Sequence, residues 1–209
     1  MGDMIRGVRD RSAQKRRTRR AILAAALVMM RRGETPSMNA VAAAAEVSRR
    51  TAYLYFPTLE HLLTEAALEA VRTQVEAALD LVESDDVEVR LDTLVKAALD
   101  SSILSEVPLR TLVRITVERR LEEAKGSPPL DAPLRGGRRV EWIESALEPV
   151  RERLGEERFE RLVSALAMVI GLEALLVLRD IRGLDQGAME EVSRWATRAL
   201  LRASLQDSE

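Results

Sequence analysis

Cysteine is absent from this chain of 209 residues, which excludes disulfides, thiolate metal sites and a cysteine nucleophile. Aromatic residues make up only 3% and histidine occurs once. β-Branched residues are sparse beside Ala, Leu, Arg and Glu, a bias that favours helices over sheets. The first residues are charged and lack an apolar h-region, so no signal peptide is expected. The longest apolar stretch, 162–178, is interrupted by Ser164 and Glu173 and is too polar for a membrane span. No membrane partner is expected, and the cytoplasm is the expected location. Phosphate loops and metal-ligand clusters are missing. The single histidine, His61, falls in the first turn of an expected helix, where solvated surface is the ordinary role. Carboxylates are many but scattered among arginines on helix faces, a pattern of solvated ion pairs more than of acid/base dyads. An enzyme is therefore not expected, and no cofactor is implied.

Hydrophobic residues make up 46% of the chain and charged residues 32%, enough for a sizeable core and long solvated faces. The net charge of −2 conceals a split. Residues 1–55 carry twelve Lys and Arg against four Asp and Glu, a balance of +8. Residues 56–209 carry twenty against thirty, a balance of −10. A basic head on an acidic body suits a chain whose head alone meets a polyanion. A solvated basic tail without a partner would show the same asymmetry.

Helical periodicity is nearly continuous, and alternating strand-like runs are missing. Residues 1–10 hold glycines and mixed charges and are expected to form a flexible basic arm. A first helix is expected over 11–32, with Ile22, Leu23, Ala26, Met29 and Met30 at threes and fours and Gly33 as its stop. Ser37 or Thr35 caps a second helix over Met38–Ala44, and Ser48 caps a third that ends near Tyr55. Thr58 starts a fourth, running to about Val82. The body continues with helices over 86–104, 106–125, 138–154, 156–182 and 185–206. Pro149 is expected to kink or break the 138–154 helix. Three prolines and three glycines make 126–137 the clearest loop. The fold class expected is all-α, with a three-helix head on a larger helical bundle and about nine helices. The expected domains are 1–10, the arm; 11–57, the three-helix head; and 58–209, the larger helical body.

Two short helices joined by a tight turn inside a basic head form a helix-turn-helix pattern. Ala42, Ala43, Ala44 and Ala45 allow close crossing, and Val47 can pin the second helix after the turn. Arg49, Arg50 and Thr51 fall in its N-terminal turns, where side chains reach a major groove. Arginine reaches either guanine edges or phosphates, so base readout is not assigned by its presence. Tyr53 and Tyr55 lie near the helix end, where a phenol can bond a phosphate. An Ala-rich hairpin in an ordinary bundle presents a similar pattern.

Residues 19–63 resemble the tetracycline-repressor (TetR) family of bacterial regulators. The resemblance lies in Ile22, Leu23, Ala25 and Ala26 leading to Gly33, then Thr35, Met38, Val41 and Ala42. It continues through Ala45, Val47 and Ser48, then Thr51, Tyr53, Tyr55 and Phe56, and ends at Glu60, Leu62 and Leu63. A later stretch, Gly171, Leu172, Glu173 and Ala174 with Leu178, Arg179, Asp180, Gly183 and Leu184, is similar to the late helices of some members. The resemblance implies a ligand-responsive repressor that docks one major-groove half-site per subunit of a palindromic operator on double-stranded DNA. Carried over by residue, the DNA-contact candidates are Ser37, Ser48, Arg49, Arg50, Thr51, Tyr53 and Tyr55. Arg6, Arg9, Arg11, Lys15, Arg16 and Arg17 could track the backbone or a minor groove. Three positions depart from the family. Glu46 stands where a turn glycine is common, so either the turn tolerates a side chain or Glu46 is strained. Arg50 stands where glycine is common, and Leu59 where a phosphate-binding lysine is common. A helical small-molecule-binding protein that has lost DNA binding is the alternative these departures leave open.

In the body, the 156–182 stretch is apolar around more than one stripe, with Phe159, Leu162, Leu166, Val169, Ile170, Leu172, Leu176 and Val177. The 185–206 stretch adds Met189, Val192, Trp195, Ala199 and Leu200. Two such helices per subunit could form the four-helix homodimer interface usual in the family, or an intrachain core, or both on different faces. The resemblance also implies an internal pocket for a small-molecule effector. Polar or aromatic groups on otherwise apolar faces are the candidates to line it: Arg114, Glu118, Trp142 and Glu173. Ion-pair, core or interface roles compete for each.

Overall fold

The computed structural model describes residues 2–128 and 137–206, with side chains from Ser12 onward. Among the described residues the chain is helical throughout its regular structure, as expected. The chain divides into two compact units. The first comprises Met1–Ala70 with Ser105–Arg135, and the second Val71–Leu104 with Gly136–Glu209. The division therefore falls inside a helix, beyond the expected 57/58 boundary, and the first unit gains a helix from the middle of the chain.

The first unit contains α1 (Gly2–Arg31), α2 (Met38–Ala44), α3 (Arg49–Tyr55) and the start of α4 (Leu59–Leu79). α1 starts at Gly2, well ahead of the helix start expected at Arg11. Two glycines weaken helix propensity there by about 1 kcal/mol each, but no proline interrupts the run. α2 and α3 match the expected spans. The core joins Ile22, Ala26 and Met30 of α1, Val41 of α2, Ala52 of α3, Phe56, and Leu62 and Ala66 of α4, all at most 2% exposed. α6 (Glu106–Ala124) also belongs to this unit and packs against α1. Leu109, Leu112 and Ile115 form its buried stripe. The expected 126–137 loop lies mostly outside the described residues.

The second unit contains the rest of α4, then α5 (Val87–Leu104), α7 (Arg138–Leu147), α8 (Arg151–Leu154), α9 (Glu156–Val169), α10 (Leu172–Leu175) and α11 (Gln186–Gln206). Pro149 breaks the 138–154 helix as anticipated, leaving a 3-10 turn over Glu148–Val150. The core gathers Val75, Leu91, Leu94, Ile143, Leu147, Phe159, Leu162, Leu166 and Leu201. α11 packs on both α5 and α9.

The 156–182 helix is not continuous. It breaks at Ile170, which is extended, and at Gly171, with φ of +105°. Beyond α10 the backbone takes a π-helical turn over Leu176–Ile181. The Arg139 guanidinium donates to the freed Ile170 carbonyl at 3.0 Å and pairs with Glu173. A Cβ at Gly171 would lie 2.8 Å from Arg139 Nη1, so glycine there suits both the backbone and this clamp. Among the described residues, no single helix is long and apolar enough to cross a membrane. The α9 and Leu172–Ile181 pair passes that test only as a broken span bent by 43°, and much of its apolar surface is in the core.

Candidate nucleic-acid interface

The helix-turn-helix is built from capping bonds. Ser37 Oγ accepts from the Ala40 N–H at 3.2 Å and starts α2. α2 stops in a Schellman cap: the Val47 N–H donates to the Ala42 carbonyl at 2.9 Å, and the Glu46 N–H to that of Ala43 at 3.1 Å. This motif needs a left-handed residue at its corner, and Glu46 fills it with φ of +54°. It is the one non-glycine residue with positive φ among those described. Of the two possibilities open for the turn, the strained one is realised. α1 ends in the same motif, where Gly33 holds the corner with φ of +71°.

Ser48 then caps α3, its Oγ accepting from the Thr51 N–H at 3.0 Å and lying 2.8 Å from the Thr51 hydroxyl. At the far end Phe56 is fully buried. Arg19 of α1 lies 5.3 Å from the Phe56 ring centroid, and His61 of α4 meets the ring edge-on at 5.8 Å. Arg19 and His61 both reach Glu65. His61 is exposed and lies 3.3 Å from the Glu65 carboxylate, consistent with its expected surface role. Thr58 caps α4 by accepting from the His61 N–H at 3.1 Å. Leu59 is half-buried at the start of that helix.

Between these anchors α3 has a definite orientation. At 100° per residue, burial of Ala52 turns the opposite side outward. That side carries Arg50 and, one turn on, Leu54, which is 79% exposed. Arg49 and Tyr53 form one flank, with the guanidinium 5.4 Å from the ring centroid. Thr51 and Tyr55 form the other and are half-buried. Neither Arg49 nor Arg50 has a carboxylate partner among the described residues. Lys15, Arg16 and Arg17 are exposed on α1; Arg17 bonds Gln14 at 2.9 Å. The side chains of Arg6, Arg9 and Arg11 lie outside those described.

The predicted contact residues Ser37, Ser48, Arg49, Arg50, Thr51, Tyr53 and Tyr55 thus occur together on α3 and the two caps. Ser37, Ser48 and Thr51 already serve as cap groups. Leu54 escaped sequence reasoning, although its spacing of four from Arg50 was the available signal.

The effector candidates behave differently. Arg114 and Glu118 pair at 2.9 Å on an exposed face of α6, in the first unit. Trp142 is half-buried against the core of the second unit, and Glu173 is held by Arg139 in that same unit. Each has a structural role, and no single cluster within either unit unites the four.

α9 and α11 carry apolar side chains both inward and outward. Phe159, Leu162 and Leu166 of α9 and Met189 and Leu201 of α11 fill the core. On their outer faces, Met168 of α9 is 70% exposed and Trp195 of α11 71%, with Val192 also exposed; Val177 and Ile181 are exposed on the π-helical turn between them.

No protein-family model matches the chain, and no curated protein matches it. Solved structures do. The chain has the TetR-type fold, all-α with an N-terminal helix-turn-helix and a C-terminal helical bundle. It is similar to a TetR transcriptional regulator from Rhodococcus sp. RHA1, with a TM-score of 0.62 and 18% identity over 90% of this chain and 97% of that one. It is also similar to a protein from Shewanella sp. PV-4 provisionally assigned to the tetR family of transcription regulators. There the TM-score is 0.55 and the identity 22%, over 88% of this chain and 95% of that one.

Proposed function

We propose that the chain is a DNA-binding transcriptional regulator of the cytoplasm, a ligand-responsive repressor that binds a palindromic operator as a homodimer. One observation carries this reading. α3 presents Arg49 and Arg50 outward, unneutralised by carboxylates among the described residues, from a helix fixed at both ends. Such a helix suits a major groove, with Ser37, Ser48, Thr51, Tyr53 and Tyr55 available for phosphate or base contacts. Residues 11–57 form the DNA-binding head in this reading, with the preceding basic residues following the backbone. The remainder binds the effector and dimerises. The exposed outer faces of α9 and α11 favour the dimer, because Met168, Val192 and Trp195 are large apolar side chains left in solvent, as an interaction surface leaves them. The effector is a small molecule, and its action is release of the operator.

The test is a binding titration with the duplex enriched by the wild-type protein from a random pool. Arg49→Glu with Arg50→Glu should weaken binding by at least about 100-fold, from the loss of two cations and the gain of two like charges per subunit. Circular dichroism and dimer mass should not change. Equal affinity in the double variant would remove these residues from the interface.

A further inference from the structure

We propose that Leu54 is a base-reading residue, placing its side chain against the C5-methyl group of a thymine in each operator half-site. The inference rests on the DNA-binding reading of α3 and adds a specificity determinant to it. Leu54 is 79% exposed, yet it occupies a helix whose inner side is anchored by Ala52 and Phe56, both fully buried. It therefore adds nothing to the core of this unit. It lies on the side of α3 turned away from Ala52, about 160° around the helix, and shares that ridge with Arg50. Any groove that receives Arg50 receives Leu54 one turn later.

The chemistry of this ridge is specific. An aliphatic side chain has no hydrogen bond to offer a phosphate or a base edge. In a major groove the one apolar feature is the thymine methyl. Its neighbours divide the other tasks. Arg49 lies over the Tyr53 ring at 5.4 Å, which directs that cation to the flank, and Thr51 is engaged with Ser48 at 2.8 Å. Arg50 and Leu54 remain as the pair pointing straight out. Four residues of helix rise about 6 Å, and base pairs are spaced about 3.4 Å. A thymine one or two base pairs from the position met by Arg50 follows.

The experiment uses the full-length protein and its selected duplex, with each thymine replaced in turn by deoxyuridine, which lacks only the methyl. In the wild type, one symmetric pair of thymines should lose affinity on replacement, by about fourfold per methyl. For Leu54→Ala, already weaker on the thymine duplex, the same replacement should have no further effect. Random-pool selection with Leu54→Ala should lose the preference for thymine at that position while the rest of the motif persists. Circular dichroism should show the same helical content in both proteins. Equal sensitivity to deoxyuridine in wild type and Leu54→Ala, or an unchanged selected motif, overturns this assignment alone. Failure of the wild type to enrich any duplex overturns the DNA-binding reading and this inference with it.

Discussion

At Glu46 a side chain occupies a corner that the same capping motif, thirteen residues earlier, gives to Gly33. Left-handed backbone costs a non-glycine residue roughly 1–2 kcal/mol, and the Ala42 and Ala43 carbonyl bonds hold it in place. Glu46→Gly should therefore stabilise the protein by about 0.5–1 kcal/mol, the strain relief being offset in part by the added freedom of glycine in the unfolded chain. Urea unfolding monitored by circular dichroism reads this directly; a destabilised variant would show that the carboxylate contributes more than its backbone costs. The caps at Ser37, Ser48 and Thr58 were legible as residue types at fixed offsets from apolar runs. The strain at Glu46 was not decidable, because a glutamate in a turn is compatible with either backbone choice. Leu54 was overlooked for a related reason. Periodicity alone separates inward from outward only once Ala52 is known to be buried.

Between elements, the seam of α5 and α11 is an ion-pair ladder with a spacing of four on both helices. Glu88 pairs with Arg202 at 3.2 Å, Asp92 with both Arg194 and Arg198, and Lys96 with Glu190 at 3.8 Å. Asp100 receives Lys96 at 2.9 Å and Gln186 at 2.8 Å. Asp92 is the central rung, with its side chain 18% exposed. Asp92→Ala should cost about 1–2 kcal/mol, because Arg198 loses a hydrogen-bonded partner and Arg194 an ion-pair partner. Glu88→Ala, on the open rim, should cost less than about 0.5 kcal/mol. Equal costs in thermal unfolding would contradict the ladder as a graded seam. The hydrogen bond to Asp100, and then the charges of Asp100 and Glu190, raise the Lys96 pKa above its ordinary 10.5. Its contribution is complete below the ordinary value and is lost as pH rises through the higher folded one, so it leaves stability near neutrality unchanged. Helix existence was readable from periodicity, and Pro149 marked one break. The break at Ile170 was hidden. Gly171 sits in a mostly apolar stretch with no proline to mark a stop, and its clamp, Arg139, comes from a different helix about thirty residues away in sequence. The ladder was hidden likewise, since pairing across helices depends on their register.

For the whole molecule, the basic head and acidic body were visible in the charge count, whereas the grouping of α6 with the N-terminal unit was not, because it depends on tertiary packing. In the proposed homodimer the outer face of α11 is part of the seam. Trp195 is 71% exposed, so Trp195→Glu should leave each protomer folded but convert a dimer to a monomer in sedimentation, with about 10-fold or greater loss of operator affinity. A variant that remains dimeric would place the interface elsewhere. In the proposed function α3 carries unneutralised arginines into a DNA groove, and the salt dependence of operator binding reads this out. The wild-type protein should lose affinity steeply with salt, with a slope of log K against log salt of roughly −0.9 per phosphate neutralised. The Arg49→Glu, Arg50→Glu double variant should bind far more weakly and with a shallower slope. A wild-type affinity that is indifferent to salt, or a slope shared by the two proteins, would contradict it.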